Sequence, residues 1–349
     1  MDIKAFTKKI LKKIAEFFYK TRYFWKKLGV ALSTLFLSTL LIYVVLRLTP
    51  GDTVRNYAIQ LQSQRNISYE EAYALAVKML NYDPDENIFL GFFKYLGGVF
   101  QGNLGQSIYF ESLNAWSLIQ QRLPWTLFIS SFSLLLSFLL GTWFGSIMAR
   151  RRNNFLTSVG EVGLVVVNGI PDYLIGLLLV MSLAFQAGIF PASGHYDIEY
   201  TVGFNLPFIL NVLWHAALPI MSFVLSQLGM WALLMKGSAI GVMGEDYIYA
   251  ARVRGLSEST ISNRYLKRNA LLPLFTSLTG AFAGLFGGAP LMENIFNYPG
   301  IGSELTLRIG ARDWFVVQGI LLFTSFIVIF VNLITDSVYS LIDPRIRRE

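Results

Sequence analysis

Six stretches of this chain are each apolar enough, over enough residues, to cross a lipid bilayer, and this property restricts the fold more than any other. A bilayer core is about 30 Å thick, so a spanning helix needs roughly 20 apolar residues. The stretches are Leu28–Leu48, then about Pro124–Ala149, Val162–Phe185, Pro207–Met235, Asn269–Leu291 and Trp314–Ile342. Inside lipid every backbone N–H and C=O needs a partner within the segment, so segments of this length are helices. The expected fold class is therefore all-α: a polytopic membrane protein of six transmembrane helices. Composition supports this. Only 15% of residues are charged and 54% are hydrophobic, whereas an ordinary soluble domain has about 25% charged residues.

The positive charges orient the spans. Of the 29 Lys and Arg, 21 fall in residues 1–28, at 150–152, between 236 and 268, and after residue 342. With six spans these segments share one side, and cytoplasmic loops attract Lys and Arg. Both termini are thus expected in the cytoplasm. The net charge of +7 is read as a membrane signature, with the lipid bilayer as partner and no nucleic acid. Arg47-Leu48-Thr49-Pro50 does not resemble a small-residue cleavage site, so the first span reads as a retained anchor. Residues 1–27 read as a cytoplasmic amphipathic helix. Its Ile3, Phe6, Ile10, Ile14, Phe17 and Phe18 recur at helical steps between lysines, a pattern suited to the inner headgroup layer.

Residues 49–123 form an extracytoplasmic loop too long for a bare connection. Ser68 followed by Glu71 predicts a capped helix with Ala72, Leu75, Ala76 and Met79 on one face. Phe89–Phe100 reads as an interfacial or packed helix, too short to span. This cap either packs on span ends or meets an extracellular partner. The rest, 124–348, reads as the membrane core, with a cytoplasmic loop over 236–268. In that loop Asp246–Arg254 reads as a short helix, acidic at its start and basic at its end, which suits the helix dipole. Gly255 stands where a helix stop belongs, and Ser257 caps a second helix. Small residues at 250 and 251 are expected to leave one face of the first helix flat and exposed.

Several chemistries are missing from the sequence. There is no Gly-Lys phosphate loop for ATP, no HExxH, no serine nucleophile elbow and no cysteine. His195 and His215 are the only histidines, and nothing else supplies metal-ligand spacing. The chain is read as no enzyme, with no catalytic, cofactor or metal residues. Asp172 and Asp336 lie within apolar stretches, either on a proton path or as structural groups near span ends.

The loop resembles the "EAA" motif of ABC importer permeases, as Tyr249-Ala250-Ala251-Arg252-Val253-Arg254-Gly255 followed by Asn269-Ala270-Leu271-Leu272-Pro273. Further motifs narrow the resemblance to the dipeptide/oligopeptide/nickel type, and to the first of its two paired permease subunits. They are Arg47-Leu48-Thr49-Pro50-Gly51-Asp52, Gly102-Asn103-Leu104-Gly105-Gln106-Ser107, Arg122-Leu123-Pro124-Trp125-Thr126-Leu127, Asn297-Tyr298-Pro299-Gly300-Ile301-Gly302, Arg312-Asp313 with Val316-Val317-Gln318-Gly319, and Asp343-Pro344-Arg345-Ile346-Arg347. Ile170-Pro171-Asp172 departs from the family, which commonly carries a neutral residue after this Pro.

The resemblance implies an ABC type I importer permease fold in the cell membrane. It implies half of a translocation pathway for dipeptides or oligopeptides, with nickel complexes or oligosaccharides as alternative cargo. Implied partners are a second permease subunit, two ATPase subunits that bind ATP and Mg, and an extracellular or periplasmic substrate-binding protein. Asp246, Tyr249, Ala250, Ala251, Arg252, Arg254, Gly255 and Leu256 are the implied contact with the ATPase. Asn168, Asp172 and Gln227 are candidates for lining the pathway; for Asn168 and Gln227 the alternative is hydrogen bonding between packed helices. A rival of another class is an ion-coupled secondary carrier.

Overall fold

The computed structural model describes residues 3–49, 53–80, 86–109, 113–151 and 154–342; for 3–24, 53, 80 and 335–342 it describes the backbone alone. Pro50-Gly51-Asp52, Arg152, the terminal Asp343–Arg347 and the side chains of Asp336 and of the lysines at 4 to 20 lie outside the described residues. Two compact units emerge, residues 1–112 with 314–349, and residues 113–313.

In the first unit, helix α1 (Ile3–Leu48) is continuous. No break separates the expected surface helix over 1–27 from the span that follows it, and no Pro or Gly pair is present to kink it, while the part apolar enough to span is Trp25–Leu48. Helices α2 (Thr53–Arg65) and α3 (Tyr69–Leu80) pack on each other through Val54, Leu61, Ala72 and Ala76, all fully buried. Ser68 Oγ accepts from the Glu71 N–H while the Glu71 carboxylate accepts from the Ser68 N–H, a capping box that satisfies two otherwise orphaned donors. Helix α4 (Ile88–Phe100) has 13 residues, about 20 Å at 1.5 Å per residue, too short to span. Phe92 anchors it on α1, edge-on to Phe36 and Tyr43 at 5.6 and 5.5 Å.

The second unit is built on a long pair, α5 (Ala115–Arg150) and α8 (Leu206–Met243). Asn114 and Ser117 form a capping box at the start of α5, and Asn205 with Pro207 starts α8; Pro suits the first turn, where its missing donor has no partner to lose. Gly145 lets the two backbones approach: a Cβ there would stand 2.8 Å from the Met235 Cβ. Small residues at such crossings are how helices associate in lipid. Trp231, fully buried, packs edge-on to Phe138 at 5.2 Å.

The third apolar stretch is not one straight span. Helix α6 (Phe155–Asn168) ends at Gly169, and α7 (Asp172–Leu179), prolonged by a π-helical stretch Val180–Gln186, leaves at 98°. Pro171, at the N-cap of α7, cannot donate a backbone hydrogen bond and disfavours helix in the residue before it, so the break falls there. Among the described residues five helices are long and apolar enough to cross a membrane, and six crossings result if the bent pair is one span. A re-entrant pair would put Arg150 and the basic residues between 252 and 268 on opposite faces. One crossing keeps them together, as the charge rule requires.

After α8 comes a short helix, α9 (Asp246–Val253). The chain then runs without interruption from α10 (Glu258–Thr260) through a π-helical stretch (Ile261–Leu266) into α11 (Lys267–Gly284). Within 236–268 the structure thus has α9 and the helix capped by Ser257, and α8 runs on to Met243, past the expected span end at Met235. Lys236 lies inside α8, half-sheltered and ion-paired with Glu161 of α6. Helices α12 (Pro290–Ile295) and α13 (Ile301–Gly310) complete this unit, and α14 (Trp314–Ile342) returns the chain to the first.

Candidate functional site

Helix α9 is held from behind and bare in front. Ile248 and Ala251 are buried and pack with Ile261 at the start of the next helix. Residues three and seven apart share a helical face, and on the opposite face Asp246, Tyr249, Ala250 and Val253 are exposed. Tyr249 is 71% and Val253 70% exposed. The expectation that both small residues lie on a flat outer face is corrected here: Ala250 does, whereas Ala251 faces inward, where only a small side chain lets α9 close on Ile261. That outer face presents Tyr249, Ala250 and Val253 with Asp246 at its start, framed by Arg252 and Arg254, both exposed.

The end of α9 is fixed by two reversed hydrogen bonds. The Gly255 N–H donates to the Arg252 carbonyl at 2.9 Å and the Leu256 N–H to the Ala251 carbonyl at 3.2 Å. This is a Schellman stop, which needs a left-handed residue; Gly255 has φ +74°. Ser257 Oγ then accepts from the Thr260 N–H at 3.3 Å and starts the next helix. Arg252 pairs with Glu258 across that turn at 2.9 Å. Ser238 donates to the Ala270 carbonyl at 2.8 Å, linking α8 to α11. α9 is thus joined to α8 before it and to the α10–α11 helix after it, and those two are themselves linked.

Asn168 and Asp172 fall along one seam with α8, and Gln227 lies on α8 in the same stretch of sequence. Asn168 Oδ1 accepts from the Met230 backbone N–H at 3.1 Å, beside Gly229, where a Cβ would come 2.9 Å from the Asn168 Cβ. Asp172 opens α7, its carboxylate accepts from the Tyr173 N–H at 2.7 Å and its carbonyl accepts from Ser222 Oγ at 3.3 Å. Gln227, half-buried on α8, lies between these two contacts. Asn168 and Asp172 thus flank the bend and each touch α8, so these polar contacts pin the broken helix to it.

A second cluster joins residues of three separate sequence motifs, around Arg122-Leu123-Pro124, Pro299-Gly300-Ile301 and Arg312-Asp313. Thr126 Oγ1 donates to Glu293 Oε1 at 2.7 Å and accepts from the Ile301 N–H at 2.8 Å. Glu293 Oε2 accepts from the Ser303 N–H at 2.8 Å. Arg122 lies 3.0 Å from Glu304, which also pairs with Arg308, and Arg308 reaches Asp313 at 3.5 Å. Glu293, Glu304 and Asp313 are all buried. Nothing local in the sequence marks Glu293; the glycines of Pro299-Gly300-Ile301-Gly302 are its only trace, because side chains there would collide with its carboxylate. Nearby, Asp197 Oδ1 lies 3.4 Å from His215 Nε2 and its Oδ2 accepts from Asn211 Nδ2 at 2.7 Å. His195 stands edge-on to Trp125 at 4.6 Å. Burial first, then the charges of Arg122 and His215, hold its pKa below the usual imidazole value. No group of three metal-ligating side chains occurs among the described residues.

Residues 141–348 match the family described as binding-protein-dependent transport system inner membrane component. The chain belongs to this family. The permease is 31% identical over 341 residues to the di/tripeptide transport system permease protein DppB of Pseudomonas aeruginosa (strain UCBPP-PA14), covering 93% of this chain and 98% of that one. It is 28% identical over 326 residues to the dipeptide transport system permease protein DppB of Lactococcus lactis subsp. cremoris (strain MG1363), covering 93% and 99%. It is 30% identical over 314 residues to the oligopeptide transport system permease protein AppB of Bacillus subtilis (strain 168), covering 88% and 93%. The permease is a multi-pass membrane protein, a transport component of ABC type, and the matched segment contains α9.

Proposed function

We propose that this permease is one membrane subunit of an ATP-driven importer of peptides, and that α9 is the part through which ATP drives it. The observation that carries this reading is the exposed pair Tyr249 and Val253 on a helix whose other face is locked by Ile248 and Ala251. An exposed apolar pair on a short helix backed by buried residues, with arginines at its end and on the side marked by positive charge, is built to seat in a groove of a partner. Asp246, Tyr249, Ala250, Arg252, Arg254 and Leu256 form or border that contact, and Ala251 and Gly255 hold its shape.

The partners on this reading are two ATPase subunits, a second permease subunit and an extracellular binding protein that delivers cargo. ATP and Mg sit on the ATPase subunits. Closure of those subunits moves α9, and α8 and α11 carry the motion into the spans, so the pathway opens alternately inward and outward. The bend between α6 and α7, flanked by Asn168 and Asp172, is the element in this chain best placed to border that pathway, with Gln227 on α8 as a further candidate, since irregular backbone at depth is tolerated where protein or a water-filled cavity satisfies it. Peptide cargo is supported by the named functions of the relatives. The test is reconstitution of the permease with its partner subunits in liposomes. ATP-dependent peptide uptake that vanishes in a Tyr249→Asp, Val253→Asp variant supports the reading; uptake that persists without ATP but collapses with the ion gradient rejects it.

A further inference from the structure

A cavity of about 360 Å³ lies between the inner end of α5, the start of α6 and Leu228 of α8. Ligand sites measure about 300–1,000 Å³. Neither the α9 contact nor the Glu293 cluster uses this space. Its level follows from a tight hairpin: Arg151 caps the end of α5 and Asn154 opens α6. Both helices therefore meet at the basic face, which the charge rule puts in the cytoplasm. From there the lining reaches back along α5 to Phe144 and on along α6 to Leu164. At 1.5 Å per residue these are depths of about 10 and about 15 Å. Half of a bilayer core is about 15 Å, so the cavity runs the depth of the inner leaflet. It is reachable from outside the bundle, since Leu156 is 75% and Phe144 39% exposed.

The lining changes character with depth. Arg151, Asn154 and Thr157 stand at the mouth, and Phe144, Leu164 and Leu228 line the deep end. Arg151 and its neighbour Arg150 are exposed, and neither side chain has a partner among the described residues. The three helices around the cavity carry one acid between them, Glu161, and it is already ion-paired with Lys236. The mouth is therefore positive without a counter-charge from its own walls. Gly160 keeps the trough clear, since a Cβ there would meet nothing within 4 Å.

Cations at the headgroup layer above an apolar trough one leaflet deep repeat the order of parts in a phospholipid with an anionic head. We propose that this groove binds one acidic phospholipid of the cytoplasmic leaflet, with its phosphate at Arg150 and Arg151 and one acyl chain lying between α5 and α6 towards Leu228. Basic pockets between spanning helices on the cytoplasmic side suit acidic headgroups in general. A helix of another subunit seated here would cover the apolar wall but bring no counter-charge to the two arginines by its backbone or apolar face. The site requires neither ATP nor cargo, so its test is separate from that of the import reading.

The full chain, alone and assembled with its partner subunits, is placed in phosphatidylcholine nanodiscs with a trace of phosphatidylglycerol that carries a photoreactive group on one acyl chain. Crosslinks are mapped by mass spectrometry. The proposal expects them to concentrate on residues 144–164 and on Leu228, in both states, and to be displaced by unlabelled phosphatidylglycerol far better than by phosphatidylcholine. Arg151→Gln keeps the groove's shape and should cut that preference about fivefold, the scale for one cation at an anionic headgroup layer. Gly160→Leu should fill the trough and reduce crosslinking there to background, while crosslinks elsewhere on the spans persist and show that the variant is folded in the bilayer. Crosslinks spread evenly over the spans, equal displacement by the two lipids, or an unchanged pattern in both variants overturns the proposal. Crosslinks that vanish on assembly also overturn it, since the groove then belongs to another subunit.

Discussion

The Thr126 hydroxyl and the Glu293 carboxylate meet at 2.7 Å although 167 residues separate them in the chain. Thr126 is doubly engaged, because its oxygen also accepts from the Ile301 N–H. Thr126→Val keeps the shape and removes both bonds, leaving a buried N–H and a buried carboxylate oxygen without partners. The expected loss is about 1–3 kcal/mol, read as a lower midpoint of thermal unfolding in detergent. Gly300→Ala should destabilise the same cluster, since its Cβ would collide with the Glu293 carboxylate, whereas Gly280→Ala, with nothing within 4 Å, should be silent.

Gly255 separates backbone strain from crowding. A Cβ at this position meets nothing within 4 Å, yet φ is +74°. A non-glycine residue in the left-handed region costs about 1–2 kcal/mol, least for Asn and most for a β-branched side chain. Gly255→Val should break the Schellman stop and uncouple ATP hydrolysis from uptake at normal membrane abundance, while Gly255→Asn should retain most uptake. Parallel uptake and ATPase assays on reconstituted complexes check this, and equal uptake by both variants would count against a coupling role for the turn.

The Arg252–Glu258 pair offers a charge-swap test. Both side chains are more than half exposed, and surface pairs contribute little to stability. Arg252→Glu should lower co-purification of the ATPase subunits. The double variant Arg252→Glu, Glu258→Arg restores the internal pair but not the charge presented to a partner, so the yield should stay low. Recovery of the yield in the double variant would assign Arg252 to the turn and not to docking.

His195 gives a pH dependence of defined sign. Its folded pKa lies below the usual value, mainly through burial, so the unfolded chain binds the proton more readily. The stability it supports is fully present above about pH 6.5 and declines as pH falls from there towards the folded value. His195→Gln should flatten thermal stability measured between about pH 7.5 and 5.5; an unchanged slope would place the response elsewhere.

What was legible in the sequence followed from uninterrupted periodicity and from local caps. The sixth apolar stretch coincides with α14 because Asp313 and the run after it leave no other reading. Ser68 and Glu71 form the predicted box because capping is decided within four residues. The 98° bend was not legible as geometry: Pro171 marks a break, but the direction of the second helix is set by contacts such as Ser222 with Asp172. The fourth span runs on past its expected end at Met235 to Met243, because Lys236 is accommodated inside α8 by Glu161. The two alanines at 250 and 251 look alike in sequence and differ only in which side of α9 meets Ile261. Glu293 carries no local signal, because its partners come from residues 126 and 303.

The central claim is that the outer face of α9 is a docking surface on the cytoplasmic side, and the absence of cysteine from the chain makes it directly measurable. A single cysteine is placed at Tyr249 or Val253 and treated with a membrane-impermeant maleimide. The account predicts labelling in inside-out vesicles, none in intact cells, and protection when the ATPase subunits are bound. Labelling from outside the cell, or equal labelling with and without the ATPase subunits, would contradict it.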